Sequence, residues 1–152
     1  MSHPAKLEQI VNLFEVLPEG EKRETLIAYA DQAAAQTPRE GETFELEDVR
    51  KDEECTDTVG VFLSVDPERK VRFRISLGPQ VQTLTRAMTS ILCKGFEGAT
   101  IEDVMEVPAD FVPKIVGAQL VRQRSQTVYY ILTRMKSACK VWLNRERAAR
   151  PA

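Results

Sequence analysis

The sequence predicts a single-domain α+β fold, in which a small antiparallel three-stranded sheet packs against a layer of helices. Three observations lead to this prediction. The chain has 152 residues, which is the length of one ordinary domain. Its apolar residues follow helical spacing near both ends and alternate with polar residues in the middle. Three short strand-like segments follow one another in the middle of the chain, which is typical of an antiparallel meander.

The first part of the chain is predicted to be helical. Apolar residues at helical spacing indicate a first helix over 7–17, which the Pro-Glu-Gly sequence at 18–20 ends. A second helix is predicted from about 21 to 35. It is followed by a breaker segment at 36–41 that contains proline and glycine.

The middle of the chain is predicted to supply the three strands. Residues 43–47, 59–65 and 71–75 form short runs rich in apolar residues, and the first and third alternate polar with apolar side chains. The second and third runs are joined by an Asp-Pro-Glu-Arg turn at 66–69. The first and second are joined by a polar connection that contains Cys55.

Beyond the third strand the apolar spacing becomes helical again. Residues 81–95 carry one apolar face. Thr100 starts a short helix with a capping-box pattern, in which Asp103 takes the third helical position. A further short apolar segment covers 111–115, and the last helix is predicted from about 125 to 147. We expect fraying in the two tails, residues 1–6 and 148–152.

Composition excludes several classes of function. Three cysteines at unrelated spacings and a single histidine, His3, make neither a disulfide framework nor a convincing metal site. The glycines do not form a phosphate-binding loop, and no cysteine–histidine pair is available for nucleophilic catalysis. No apolar run approaches the roughly 18 residues that span a bilayer. We therefore expect a protein of the reducing cytoplasm, with no bound cofactor of its own.

Charge is distributed unevenly, although the net charge is only −2. Residues 1–68 contain 17 acidic and 6 basic side chains, whereas residues 69–152 contain 6 acidic and 15 basic ones. The two halves could face each other or present charged surfaces for solubility. Alternatively, they could steer a protein partner. Binding to nucleic acid is disfavoured, because the basic residues are scattered and no glycine–aromatic RNA-binding signature accompanies them.

Cys55 is the residue most suited to carry chemistry. It lies in a polar strand connection, where a thiol is accessible, whereas Cys93 and Cys139 lie in helical segments and are better explained by packing. Four acidic residues share its connection: Asp52, Glu53, Glu54 and Asp57. This run is more typical of a solvated loop than of an acid–base pair. Nearby negative charge raises a thiol pKa, so Cys55 is expected to need activation by a partner or a strongly electrophilic target.

Four segments, taken in order along the chain, resemble those of a known family. The first is Ile10-Val11-Asn12-Leu13-Phe14-Glu15-Val16-Leu17 with the following 23–30, and the second is Cys55-Thr56-Asp57-Thr58-Val59. The third is Gly98-Ala99-Thr100-Ile101-Glu102-Asp103-Val104-Met105, similar to the family's Gly-Lys-Thr-Pro-Glu-Glu-Ile-Leu. The fourth, 120–127, occupies the place of the family's Arg-Ser-Asn-Gly motif. Together they resemble the SufE family of sulfur acceptor proteins, which work with cysteine desulfurases in iron–sulfur cluster assembly.

The resemblance implies a SufE-like fold and specific roles for two residues. Cys55 matches the cysteine that carries a persulfide, and Arg124 matches the arginine of the Arg-Ser-Asn-Gly motif. The implied role of Arg124 is to dock onto the desulfurase or to hold the cysteine-bearing loop. The implied partner is a desulfurase that uses pyridoxal phosphate, with a cluster scaffold protein as a second candidate. Neither nucleic acid nor a membrane is expected as a partner.

The sequence also departs from the family pattern around its cysteine. Glu54 and Asp57 stand where the family usually has glycine and serine, and Gly60 stands where an aromatic residue is common. We expect Phe62 to fill the space of that aromatic. Two alternatives to a sulfur carrier therefore stay open. One is a non-catalytic interaction module with the same scaffold, and the other is a thiol redox sensor that acts through Cys55.

Overall fold

The computed structural model of the chain describes residues 3–51, 58–78, 81–117 and 126–149. The described helices are α1 (Ala5–Val16), α2 (Glu19–Asp31), a 3₁₀ helix (Ala33–Gln36), α3 (Thr83–Phe96), α4 (Ile101–Glu106), α5 (Phe111–Val116) and α6 (Gln126–Ala149). The described strands are β1 (Leu46–Lys51), β2 (Thr58–Val65) and β3 (Val71–Leu77). The order of elements along the chain is the one that the sequence predicts.

The three strands form an antiparallel meander in the order β1-β2-β3. The β1–β2 register runs from Leu46, paired with Leu63, to Lys51, paired with Thr58. The β2–β3 register begins with Val59 paired with Leu77 and continues to the turn. The prediction of a three-stranded meander is therefore confirmed.

One face of the sheet lines the hydrophobic core. Alternate residues of β2 and β3 are buried on this face: Val59, Val61, Leu63, Val71, Phe73 and Ile75. They pack against α3 and α6, while α1 and α2 pack on α3, α5 packs on α1, and α4 packs on α6. Because the buried residues of all these elements form one cluster, the predicted single-domain α+β fold of one sheet and a helical layer is confirmed. Within the described residues, no helix is both long and apolar enough to cross a membrane.

The predicted cap at Thr100 is confirmed by the geometry, and a glycine ends the next short helix. The hydroxyl of Thr100 accepts a hydrogen bond from the backbone N–H of Asp103 at 3.1 Å, which caps α4. Helix α5 ends at Gly117, whose φ of 87° lies in the left-handed region that favours glycine.

Strand β1 and helix α2 begin at residues that differ from the predicted ones. The alternating segment 43–47 predicts the first strand, but β1 runs from Leu46 to Lys51 and contains polar residues on both faces. The strand extends because its backbone pairs with β2 along its whole length. Helix α1 ends at Val16, before the Pro-Glu-Gly sequence at 18–20, as predicted, but α2 begins within that sequence, at Glu19, and not at about 21. Pro18 can precede a first turn because the N–H that proline lacks has no partner there.

The β2–β3 turn is attached to the C-terminal half of α6. Arg69, which has a φ of 69°, forms ion pairs with Glu102 and Glu146. Its guanidinium also lies 5.4 Å from the ring centroid of Trp142. Since Trp142 and Glu146 belong to α6, these contacts fix the end of the sheet that is opposite the Cys55 connection.

Acidic residues of the first half meet basic residues of the second half inside the fold. Arg74 Nε lies 3.3 Å from a carboxylate oxygen of Glu42, and both side chains are mostly buried. Arg134 Nη2 lies 3.1 Å from a carboxylate oxygen of Asp48. These two ion pairs favour the first interpretation of the uneven charge, in which the two halves face each other.

The described part of the N-terminal segment, residues 3–6, contacts the rest of the fold through His3. Helix α1 begins at Ala5, and the imidazole of His3 lies between two carboxylates. Its Nδ1 is 2.6 Å from Glu8 and its Nε2 is 2.9 Å from Asp110. Because carboxylates only accept hydrogen bonds, both contacts need the doubly protonated ring. Burial lowers the pKa of His3, but the hydrogen bonds to Asp110 and Glu8 outweigh it and leave the pKa above 6.5.

Stability from His3 is therefore expected to be lost as the pH rises. A raised folded-state pKa gives a contribution that is fully present below the unfolded pKa and disappears above the folded one. Both carboxylates are partly exposed, so we expect an effect on the order of 0.5 kcal/mol. The free energy of unfolding of wild type and His3→Gln should differ by this amount near pH 5.5 and should converge near pH 8.5. Lys6→Gln is the matched control, and a difference that stays constant between the two pH values would contradict the assignment.

Candidate functional site

The two strands that flank Cys55 are paired up to the connection that carries it. Lys51, the last residue of β1, pairs with Thr58, the first residue of β2. Residues 52–57 join these two ends, so position 55 falls within a six-residue connection. Cys55 itself lies outside the described residues, and so does Arg124, the second predicted site residue. The described geometry therefore concerns the strands and helix that flank these two positions.

Arg134 of α6 lies beneath this pair of strands. Its side chain is almost completely buried, with a relative exposure of 2%. Nη1 donates a hydrogen bond to the carbonyl oxygen of Val59 at 2.7 Å, and Nη2 donates one to the carbonyl oxygen of Asp48 at 2.5 Å. The guanidinium also contacts the carboxylate of Asp48, at 3.1 Å from Nη2 and 3.3 Å from Nε. One side chain thus bonds to both strands of the cysteine-bearing hairpin.

The partners of Arg134 explain why a charged side chain can be buried here. A buried guanidinium is unfavourable unless a counter-charge and hydrogen-bond acceptors compensate for the water it loses. Asp48 supplies the negative charge, and the two carbonyl oxygens accept further N–H groups. The guanidinium also lies 5.6 Å from the ring centroid of Tyr130, one helical turn earlier. Together these contacts give the hairpin a fixed position on α6.

Sequence reasoning missed Arg134, although a signal for it was present. The predicted apolar face of the last helix includes Ile131, Met135 and Ala138, and all three are buried. Arg134 falls between them at helical spacing and therefore on the same face. A basic residue within an apolar face indicates a buried partner of opposite charge. That partner is Asp48, on the inward face of β1.

Phe62 occupies the space beside Gly60, as the sequence predicts. A Cβ atom on Gly60 would lie 2.9 Å from Cε1 of Phe62, 2.4 Å from Oγ of Ser76 and 3.1 Å from Cγ2 of Val49. The Phe62 ring in turn packs against Phe44, with centroids 5.2 Å apart. An aromatic side chain therefore covers this part of the sheet even though position 60 is glycine.

The other two cysteines are buried in the helical layer. Cys93 on α3 is 2% exposed and Cys139 on α6 is 0% exposed. Burial raises the pKa of Cys93 to about 12 and the pKa of Cys139 to about 12 as well. A thiol with so high a pKa has almost no thiolate at neutral pH, and the thiolate is the nucleophile. Both residues therefore have the packing role that the sequence predicts.

The described part of the chain brings together no set of metal ligands. Among residues 3–51, 58–78, 81–117 and 126–149, no group of three or more His, Cys, Asp or Glu side chains could hold a metal ion.

Comparison with known proteins agrees with the resemblance that the sequence motifs indicate. The family model described as SufE, Fe-S metabolism associated domain, matches residues 8–139, which is most of the chain. The chain belongs to the SufE family. The matched range includes positions 55 and 124, so both predicted site residues fall within the SufE domain. Membership in this family implies involvement in iron–sulfur metabolism.

A solved structure has the same SufE-like fold. It is the solution structure of a hypothetical protein from Thermus thermophilus, and its TM-score to this chain is 0.75. The two sequences are 25% identical, and the alignment covers 94% of this chain and 99% of that one. No protein of curated function matches the chain. SufE proteins generally act with desulfurases, which makes the thiol of this SufE domain the natural focus of a functional proposal.

Proposed function

We propose that this SufE-family protein is a sulfur acceptor that receives persulfide sulfur on Cys55 from a cysteine desulfurase and stimulates that enzyme. The sulfur is destined for iron–sulfur cluster assembly. The match of residues 8–139 to the SufE family is the observation that carries the proposal. The partner is a pyridoxal-phosphate enzyme, and a cluster scaffold protein is a candidate receiver. The reducing cytoplasm is the proposed location, because it keeps the thiol free.

The proposed step is a thiol–persulfide exchange that needs no external oxidant. The Cys55 thiolate attacks the terminal sulfur of the persulfide on the desulfurase cysteine. A new S–S bond forms on Cys55 as the S–S bond on the desulfurase breaks. The desulfurase cysteine leaves as a thiolate and takes up the proton that Cys55 released. The electron count is unchanged, since the transferred sulfur has the same oxidation state before and after.

The burial of the other two thiols supports Cys55 as the acceptor. Cys93 and Cys139 are enclosed by the core, and their pKa values of about 12 leave them uncharged at neutral pH. A bulky protein-bound persulfide could reach neither of them without unfolding of the helical layer. Cys55, which lies in a polar connection between strands, is the remaining thiol of the sequence.

Arg124 has a proposed role in docking. It lies two residues before Gln126, where α6 begins, and within the family match. An arginine side chain can form two parallel hydrogen bonds to a carboxylate, which suits recognition of a partner protein. We assign it to contact with the desulfurase.

Intact-mass spectrometry tests the proposed function. The protein is incubated with a cysteine desulfurase, pyridoxal phosphate and free cysteine, and then analysed without reductant. We expect a mass increase of about 32 Da, one sulfur atom, which dithiothreitol removes. Peptide mapping should place that sulfur on Cys55. The proposal fails if each desulfurase from the same genome leaves Cys55 unmodified.

A second candidate function is a SufE-like interaction module that regulates a desulfurase without carrying sulfur. The four acidic residues in 52–57 favour it, since negative charge raises the pKa of a neighbouring thiol and slows its attack. This module would bind and stimulate the desulfurase whether or not position 55 is a cysteine. The sulfur carrier would keep binding and lose stimulation.

A further inference from the structure

Arg134 connects two parts of the chain that the proposed function places in one site. Its partners are Val59 on β2, four residues after Cys55, and Asp48 on β1, seven residues before it. Arg134 itself lies on α6, which starts two residues after Arg124. Arg134 thus joins the parts of β1 and β2 nearest to the Cys55 connection to α6, the helix that follows Arg124.

The geometry allows little freedom at this contact. The guanidinium is planar and rigid, and its three nitrogen atoms are all used, by two carbonyl oxygens on different strands and one carboxylate. The side chain is 2% exposed, so water is not available to replace a lost partner. A displacement of the hairpin relative to α6 would leave a buried charge unpaired. The hairpin base and the helix therefore move as one unit.

We propose that Arg134 is a positioning residue for sulfur transfer: it fixes the hairpin on α6 so that the Cys55 connection meets the docked desulfurase at a productive distance. This inference rests on the proposed function. Transfer between two protein-bound sulfur atoms requires the attacking thiolate to be in line with the S–S bond that breaks. A misplacement of about 1 Å can lower such a rate on the order of 100-fold without weakening binding.

The same sheet offers a matched control at its other end. Arg69 also joins the sheet to α6, through Glu146 and Trp142, but it does so at the β2–β3 turn. Arg69→Met removes two ion pairs of a partly exposed arginine and leaves the contacts of the Cys55 hairpin with α6 untouched. Arg134→Met and Arg134→Lys are the test variants. Lysine keeps the charge but offers one compact ammonium group, which cannot reach three acceptors in a fixed plane.

Single-turnover sulfur transfer separates a positioning role from a role in stability alone. The rate of persulfide transfer from a loaded desulfurase is measured against acceptor concentration, at a temperature where circular dichroism shows every variant folded. For Arg134→Met we expect the maximal rate to fall at least about 10-fold, with a half-saturating concentration within about twofold of wild type. Arg134→Lys should be intermediate, and Arg69→Met should match wild type. The inference is overturned if Arg134→Met transfers at the wild-type rate, or if Arg69→Met loses as much.

Two further results of this experiment are interpretable: an Arg134→Met variant that does not fold, and a wild type that takes up no sulfur. If Arg134→Met does not fold, Arg134→Lys decides alone, and a wild-type maximal rate for it overturns the inference. If wild type itself takes up no sulfur, the proposed function fails, and hydrogen exchange then tests the contact by itself. Arg134→Met should accelerate amide exchange at 47–50 and 59–61 by about 10-fold more than at 71–75. Equal acceleration in the two regions would overturn the positioning role.

Discussion

Replacing Cys55 by serine is expected to abolish both the persulfide adduct and the stimulation of the desulfurase, while binding to that enzyme is retained. A serine hydroxyl is not ionised at neutral pH and does not attack a persulfide sulfur, so transfer should fall by at least about two orders of magnitude. The measurements are the adduct by intact mass, the desulfurase turnover, and the dissociation constant by titration calorimetry. Binding should stay within about twofold of wild type, because exchanging one sulfur atom for oxygen changes little of an interface.

The two buried cysteines are the matched controls for this substitution. Cys93→Ala and Cys139→Ala remove the same functional group from the core and should leave the adduct and the stimulation unchanged. Stimulation that survives Cys55→Ser would support the interaction module and exclude the sulfur carrier. An adduct that disappears only in a core variant would move the acceptor to that residue.

Replacing Phe96 by alanine is expected to cause a large loss of stability. Phe96 is 0% exposed, and its ring lies 6.3 Å from that of Phe73, so it fills the space between α3 and β3. Loss of a buried phenylalanine side chain leaves a cavity and costs about 3–5 kcal/mol. Since a domain is stabilised by about 5–15 kcal/mol in all, the variant should be close to unfolding at physiological temperature.

Urea denaturation measures this effect. The midpoint should fall strongly while the slope with denaturant stays unchanged, because the unfolded state and the buried area are nearly the same. Leu13→Ala is the control, since Leu13 is 42% exposed on α1 and its loss should change the free energy of unfolding by within about 0.5 kcal/mol. Similar midpoints for the two variants would contradict the packing of α3 on the sheet.

Local sequence patterns were sufficient to predict the helices and strands that have one uniformly apolar face. Strands β2 and β3 bury their apolar residues on one face, and the sequence of β3 shows this as a clean alternation of polar and apolar residues, although Arg74 is buried as well. Helix α3 has an apolar face that its sequence spacing reveals. The turn at Arg69 and the cap at Thr100 were also predictable, because each depends on residues within a few positions of it.

The same reasoning failed where a distant residue determines the outcome. The inward face of β1 carries Asp48, which breaks the apolar alternation, so the predicted strand ends at residue 47, although the observed strand continues to Lys51. Arg134, the residue that compensates this charge, lies 86 positions further along the chain. No local pattern contains such a pair. Pro18 was ambiguous for another reason, since a proline can end one helix or begin the next.

For the candidate site, the sequence supports a proposal about the chemistry, whereas the contact that holds its strands is visible only in the structure. A reactive thiol at position 55 could be proposed from composition, spacing and family resemblance, because sulfur chemistry depends on residue type, and it stays a proposal. The Arg134 contact that holds β1 and β2 could not be predicted, because it depends on how this hairpin and α6 are arranged in space. Gly60 stands where the family commonly has an aromatic residue, and the sequence was enough to predict what replaces it. Phe62 was expected to fill this space and does so.

The attachment of α6 to both ends of the sheet has a consequence for how the protein opens. Arg134 and Trp142 lie on the same helix, two turns apart, and each holds a different end of β2. Partial melting of the C-terminal helix would therefore expose the apolar underside of the sheet and break the contact between Arg134 and Asp48. Such intermediates are costly, so the last helix and the meander are expected to unfold together as one cooperative unit.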